Sequence, residues 1–337
     1  MLGHGGFGIT YLAWDTNLAL TVAIKEYFPQ NYATRIGDDL TLLLYLGQKR
    51  ILFEEGLRNF QEEARILAKF KHHPTIVEVH NFFHSHGTCY LVMEYISGIS
   101  LRKYLKHRKT LSYRSTFKIL NPIIDTLQEI HSIGLLHRDI SPHNIYITQQ
   151  ENIKLLDFGA AKSFTKQSKD STIIIKPGYA PYEQYQAQGN QGPWTDIYSL
   201  AATFYHCLVG EPPPDAEKRN QQECLEPPTI KGADILVHVE QAILKGLALQ
   251  IEDRFQDVES FRKALNKLGS NTPHVVTPTY HDPQLTHQIL EHAKILAALL
   301  KEHPPTKIKM RLQVSEALIL NAHLEAITNW TTGYKNN

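Results

Sequence analysis

Several residues in this chain combine types and spacings suited to handling phosphate. Gly3-His4-Gly5-Gly6-Phe7-Gly8 reads G-x-G-x-x-G, and Lys25 follows 17 residues after Gly8 within Val22-Ala23-Ile24-Lys25. Glycines leave backbone N–H groups open to an approaching phosphate, and a lysine amid apolar strand alternation can reach the α- and β-phosphates of a nucleotide. Such a lysine needs an anion to hold it, and Glu62 and Glu63 stand side by side in a helical run. Glu63 is the choice: it lies four residues before Leu67 and shares that residue's inward face, whereas Glu62 points about a hundred degrees away. Further on, His137-Arg138-Asp139 is followed after five residues by Asn144, and then by Asp157-Phe158-Gly159. Asn144 and Asp157 are oxygen ligands of different charge, a set that suits Mg²⁺, while Asp139 is placed to accept or orient the proton of an attacking hydroxyl. Each feature alone has a bland reading, as a tight turn, a solvated lysine or a capping aspartate. Five of them in one order make coincidence the poorer account.

These residues need elements to position them. Residues 9–14 and 20–28 alternate around Asp15-Thr16-Asn17 and predict an antiparallel pair, with a second hairpin at 33–46 around Gly37-Asp38-Asp39. A dinucleotide-binding crossover is excluded, because it needs a strand before the glycines and a helix opening within them. Helical spacing of Phe60, Ala64, Leu67 and Phe70 predicts one helix inserted among strands, which resume at 75–83 and 88–95. Beyond Leu101 the runs at 101–108, 113–132, 195–209, 234–248 and 257–267 predict helices. Pro, Thr, Ser and Asn at 269–282 suggest a linker, and 283–337 a helical appendage opened by Asp282 and Pro283. Its apolar stripes, Ile289-Ala293-Leu296-Leu300 and Leu320-Leu324-Ile327, would pack on each other or on the larger part, or serve as a docking or dimerisation element within 283–330.

Over 337 residues, 35 Lys and Arg face 34 Asp and Glu, leaving a formal charge of +1. No global field draws such a chain to nucleic acid or anionic lipid, so a charged ligand must be held locally. Cys89, Cys207 and Cys224 are scattered, which argues against structural zinc and fits a reducing compartment, with the cytoplasm as the expected location. The apolar stretch Ile295 to Leu300 is too short to span a bilayer, and Met1 opens into the Gly cluster with no signal-peptide core, so no membrane insertion is expected.

On these motifs the chain resembles the protein kinase family, and more narrowly the bacterial Ser/Thr kinases of eukaryotic type, over about residues 1–268. Ala180-Pro181-Tyr182-Glu183 stands where that family has A-P-E, and Asp196 lies in Trp194-Thr195-Asp196-Ile197-Tyr198-Ser199. The resemblance implies an α+β bilobal fold, with a small mostly β lobe at 1–95 and a larger mostly α lobe at 96–268. It implies ATP between the lobes, Mg²⁺ on Asn144 and Asp157, and a protein substrate carrying Ser or Thr. Gly3, Gly5, Gly6, Gly8, Thr10, Ala23 and Lys25 would line the nucleotide site, with Met93 as gatekeeper, Glu94 and Ile96 offering backbone hydrogen bonds to adenine, and Tyr146 beneath the ring. Leu67, Val79, Phe158 and His137 would stack as a spine anchored by Asp196, and Glu183 would pair with Arg254. Arg138 beside Asp139 implies control by phosphorylation of the following loop, where Ser163, Thr165, Ser168, Ser171 and Thr172 are all candidates.

The chain also departs from the family. Only Met1 and Leu2 precede the Gly motif, so the first strand is expected to be short. Thr10 replaces the usual Val, Tyr146 replaces a smaller aliphatic residue, and Ser141 stands where the catalytic loop has Lys. Counting back seven from Glu183, where the family has a hydroxyl, gives Lys176, so hydroxyl and lysine have exchanged places and the charge near the γ-phosphate would be kept. The departures admit a rival reading, a pseudokinase scaffold acting through partner binding; the intact Lys25, Glu63, Asp139, Asn144 and Asp157 oppose it. Phosphorylation of a small molecule is a third reading, and the Ala180 to Glu183 segment, a peptide platform in the family, counts against it.

Overall fold

Alternating β-branched and aromatic residues in the first hundred positions pair into one antiparallel sheet in the computed structural model. Its strands are β1 (Gly3–Gly5), β2 (Gly8–Asp15), β3 (Leu20–Tyr27), β6 (Val79–Ser85) and β7 (Thr88–Glu94), in the order β1-β2-β3-β7-β6. In β1, Gly3 pairs with Thr10, and the Leu2 N–H donates to the Thr10 carbonyl at 2.8 Å. The expected second hairpin reduces to β4 (Ala33–Thr34) against β5 (Leu43–Leu44). The structure describes residues 1–5, 8–36, 40–158, 162–163, 175–186 and 189–267. Contacts divide the chain into Met1–Lys267 and Leu268–Asn337. The linker and appendage expected at 269–337, Gly6, Thr165, Ser168, Ser171, Thr172 and the Ser163 side chain lie outside the described residues.

The inserted helix, α1 (Gln48–Leu67), begins twelve residues before the expected Phe60. Gly56 and the exposed Ile51 and Leu52 disguise its first turns. Packing explains the glycine: a Cβ there would lie 2.1 Å from the Tyr27 hydroxyl, which donates to the Phe53 carbonyl at 3.1 Å. Phe53, Phe60, Ala64 and Leu67 then form one buried stripe facing the sheet.

Beyond β8 (Gly98–Ser100) the helices α2 (Leu101–Arg108) and α3 (Tyr113–Ser132) follow their sequence periodicity, each capped by a serine, Ser100 and Ser112. The short strands β10 (Ile145–Thr148) and β11 (Ile153–Leu155) lie between the His137 and Asp157 motifs, and β9 (Leu135–Leu136), just before the first, pairs with β12 (Lys162–Ser163), just after the second. The core of this larger part is α4 (Pro193–Val209), flanked by α6 (Val237–Gly246) and α7 (Val258–Leu265); a short α5 (Ala216–Gln221), capped by Asp215, was not evident from periodicity. The fold is the α+β bilobal architecture that the motifs imply.

One buried ion pair braces the segment before α4. Arg254, 2% exposed, grips both Glu183 oxygens at 2.7 and 3.0 Å, Thr195 donates to the same carboxylate at 2.9 Å, and the remaining Arg254 donors reach the Ala248 and Leu249 carbonyls. Arg254→Met strands the Glu183 charge in the interior and is expected to cost about 3–5 kcal/mol. Adding Glu183→Gln should return part of that. Urea denaturation reads both, and a loss below about 1 kcal/mol in the single variant would show that the carboxylate finds water or another donor.

Candidate active site

Strand register brings the first group together. Lys25 on β3 lies opposite Thr10 of β2 and Leu91 of β7, so its side chain leaves the sheet toward α1. Its ammonium donates to Glu63 at 2.9 and 3.3 Å and to Asp157 at 3.1 Å. Burial works against this ammonium, but Asp157 and Glu63 outweigh it and hold the lysine protonated, its pKa well above the usual range. Burial acts oppositely on Glu63 and, with Asp157 adding to it, pushes its carboxyl up to about 7 against the pull of Lys25. Glu62, the alternative, points outward to Arg65 at 3.2 Å.

Gly8 is needed for the strand contact itself, since a Cβ would stand 2.0 Å from the Glu26 carbonyl, whereas a Cβ on Gly3 meets nothing within 4 Å. Gly5 of β1 pairs with Gly8 of β2. Glu26 went unnoticed in the sequence, although alternation puts it on the face opposite Lys25. It is 1% exposed and accepts from the Tyr11 and Tyr90 hydroxyls at 2.9 Å each and from Arg35, tying β2, β3, β7 and the β4 segment into one support for the lysine.

The second group hangs on Asp196. Its carboxylate accepts the His137 and Arg138 backbone N–H groups at 2.9 and 2.7 Å and faces His131 at 2.8 Å. Burial opposes its charge, yet these donors hold its pKa below the usual carboxylate range. Two N–H groups can converge on it because Arg138 adopts φ 69°, a left-handed conformation whose cost, roughly 1–2 kcal/mol, the hydrogen bonds offset. Arg138 is buried, and burial lowers the pKa of its guanidinium with Asp196 opposing. His137 accepts the Asp139 N–H on Nδ1 at 3.2 Å, which keeps its proton on Nε2, and burial holds the ring neutral. Phe158 packs against His137, ring centroids 4.6 Å apart, and against Phe70 at 6.2 Å. Leu67 and Val79 join the same core, so Phe70 is an additional member of the expected stack.

Asp139 carries three contacts. Asn144 donates its amide to the Asp139 carboxylate at 2.8 Å and to its carbonyl at 2.9 Å. Lys176 reaches the carboxylate at 2.6 Å and the Ser141 hydroxyl at 3.0 Å, so the lysine and the serine do meet beside Asp139. Because its nitrogen is committed to Asp139, the Asn144 amide oxygen is turned away from that carboxylate as an acceptor. With the half-exposed Asp157 carboxylate it makes an all-oxygen donor set, which fits Mg²⁺.

Around the expected adenine position, Ala23 and Met93 are opposite each other across β3 and β7, and Tyr146 is half-buried on β10 between Ser100 and Lys154. At Glu94 only the backbone carbonyl is left to offer adenine a hydrogen bond. The Glu94 N–H donates to the Glu78 carbonyl at 2.9 Å and is committed to the sheet, while its carboxylate binds Lys154 at 2.6 Å. Ile96 is half-buried at the junction that follows.

Comparison with known proteins points in one direction. Residues 1–245 match the family described as protein kinase domain. The chain is 31% identical over 274 residues to serine/threonine-protein kinase F of Synechocystis sp., covering 79% of this chain and 54% of that protein. It is 29% identical over 278 residues to a probable serine/threonine-protein kinase of Clostridium acetobutylicum, covering 80% of this chain and 39% of the relative. The chain thus spans about half or less of the length of these curated relatives. Among solved structures, "PpkA-294 apo form" is similar with a TM-score of 0.69 and 36% identity, covering 78% of this chain and 93% of that one. Among the described residues no helix is long and apolar enough to cross a membrane.

Proposed function

The chain belongs to the protein kinase family, in its bacterial Ser/Thr branch, and from that premise we propose that it transfers the γ-phosphoryl group of ATP to Ser or Thr hydroxyls of proteins, its own chain included. The family uses ATP with a divalent metal. The observation that carries the reading for this chain is that Lys25, Glu63 and Asp157 are already joined, while Asp139 is held by Asn144 and Lys176.

Phosphoryl transfer asks a protein mainly for positioning and for compensation of charge. Lys25, oriented by Glu63, pairs with the α- and β-phosphates beneath the Gly loop. Asp139 orients the acceptor hydroxyl and takes its proton as the oxygen attacks phosphorus in line with the departing ADP. Asn144 and Asp157 would hold Mg²⁺, which supplies positive charge to the phosphate oxygens. Lys176 supplies the compact charge beside Asp139 that the family places on the catalytic loop, which supports turnover over a scaffold role. Protein substrates follow from the Ala180 to Glu183 platform and its Arg254 brace.

The test is transfer from labelled ATP with Mg²⁺, to peptide and in autophosphorylation, in wild type, Lys25→Met, Glu63→Gln and the double variant. Each single change is expected to lower kcat/KM by at least tenfold, and the double variant to be little worse than the poorer single, an interaction of roughly 1–3 kcal/mol. Free energies that simply add would refute the pair, and undiminished transfer in Lys25→Met would refute the assignment.

A further inference from the structure

Charge is unevenly spread in this nearly neutral chain. Between Glu94 and Asp125 there is no Asp or Glu, yet Arg102, Lys103, Lys106, Arg108, Lys109 and Arg114 all lie there, all six exposed, the first five on or next to α2 and Arg114 in the first turn of α3. Among the described residues none of the six forms an ion pair with a carboxylate; Lys118, further along α3, pairs with Glu151 at 2.7 Å. Arg102 and Lys103 occupy the first turn of α2, where the helix dipole disfavours cations, so helix stability does not account for them.

This basic surface runs into the active site. The Arg102 N–H donates to the Pro142 carbonyl at 2.7 Å, and its guanidinium bonds the His143 ring in the segment between Asp139 and Asn144. His206 on α4 closes the same corner, bonded to the Tyr179 hydroxyl, and Tyr179 follows Lys176 by one turn, its N–H on the Lys176 carbonyl at 3.0 Å. His143 faces Lys176, Arg102 and His206, and the carboxylate at this corner, Asp139, is engaged by Lys176 at 2.6 Å. His206 faces Arg102 and Glu211, and Glu211 is engaged by Lys231 at 3.1 Å. Burial, with Arg102 adding to it, lowers the pKa of both rings to about 4. Lys176 is paired with Asp139, so among the described residues the charge of this wall that no carboxylate answers is Arg102.

We infer that α2 and the Arg102–His143–His206 corner form a docking surface for the protein substrate, selecting an acidic stretch beside the Ser or Thr to be phosphorylated. The inference rests on the kinase reading above. It favours polypeptide over nucleic acid or lipid because the surface is small and continuous with Asp139. Eight helical residues extend about 12 Å, the reach of about four extended residues, so a peptide carrying its charges there presents the next few residues to the catalytic loop. Complementary charge in such a surface acts mostly on encounter and KM.

The test uses the full chain and three peptides with one acceptor, flanked by four Asp/Glu, four neutral or four Lys/Arg residues, with the charged run on either side. The acidic peptide is expected to show roughly tenfold higher kcat/KM than the neutral one, through KM, with the advantage shrinking between 50 and 300 mM salt. Arg102→Glu, and separately Lys106→Glu with Arg108→Glu, should remove that advantage while turnover of the neutral peptide is kept. Binding of labelled peptides by fluorescence anisotropy should follow the same order, and replacing one acidic residue by phosphoserine asks whether phosphate serves as well as carboxylate. Equal or better use of the basic peptide overturns the inference, as does uniform slowing of all peptides by the reversals. Reversals that abolish binding to single-stranded RNA or to anionic vesicles but leave peptide preference intact assign the surface to those partners and overturn it too. If no peptide is phosphorylated while the acidic one still binds through Arg102, the docking surface stands and the catalytic reading fails.

Discussion

Asp139→Ala is expected to lower phosphoryl transfer by roughly 10²–10⁴-fold while ATP affinity changes little, because a positioned base contributes that much to rate without gripping the nucleotide. The geometry makes the variant clean. The Asp139 side chain is 14% exposed and is oriented by Asn144 at 2.8 Å and Lys176 at 2.6 Å, so its removal leaves two donors near solvent and none stranded in the core. Thermal stability should therefore fall only slightly, which separates lost chemistry from lost fold. Asp139→Asn keeps the shape and removes the basic oxygen, and its rate should be equally low. Nucleotide binding and single-turnover transfer measured on the same samples decide the matter: wild-type turnover in either variant would end the assignment of Asp139, and a parallel loss of ATP binding would move its role to the nucleotide.

The second large effect concerns the exchanged pair. Lys176→Ala removes the ammonium that touches both Asp139 and Ser141, at 2.6 and 3.0 Å, and is expected to lower kcat by roughly 10²–10³-fold with KM for ATP little changed. Charge placed where negative charge builds up matters in the transition state more than in the ground state, so the loss belongs in kcat. The family arrangement offers the control. Ser141→Lys with Lys176→Thr puts the ammonium back from the other side of the same contact and should recover at least tenfold of the loss, while Ser141→Lys alone crowds two ammonium groups beside one carboxylate and should not exceed the wild-type rate. A loss of threefold or less in Lys176→Ala would mean that the lysine is a bystander.

Much of the site is legible along the chain because its signals are local. Lys25 falls on a strand by alternation, Glu63 shares the phase of Leu67, and α3 runs over Tyr113–Ser132 as its periodicity predicts. The order of the motifs carries the fold with them, since each is tied to one kind of element. The beginning of α1 is different: Gly56 reads as an interruption until the Tyr27 hydroxyl is seen to need the space. The Glu26 cluster joins residues from four segments, and nothing near Glu26 in the chain announces Tyr90 or Arg35 as its partners.

The same distinction holds at the catalytic loop. Residue types and spacing are enough to mark Asp139, Asn144 and Asp157 as one functional set, because phosphate chemistry needs a base, metal ligands and a short distance along the loop. That Arg102, Tyr179 and His206 meet at one wall beside the catalytic loop is a matter of folding, since they come from two helices and the segment between them, and no periodicity links them. Side chains so far apart in the chain are brought together by burial of apolar surface elsewhere in the core, a non-directional force that leaves no mark in the spacing of the polar residues it juxtaposes.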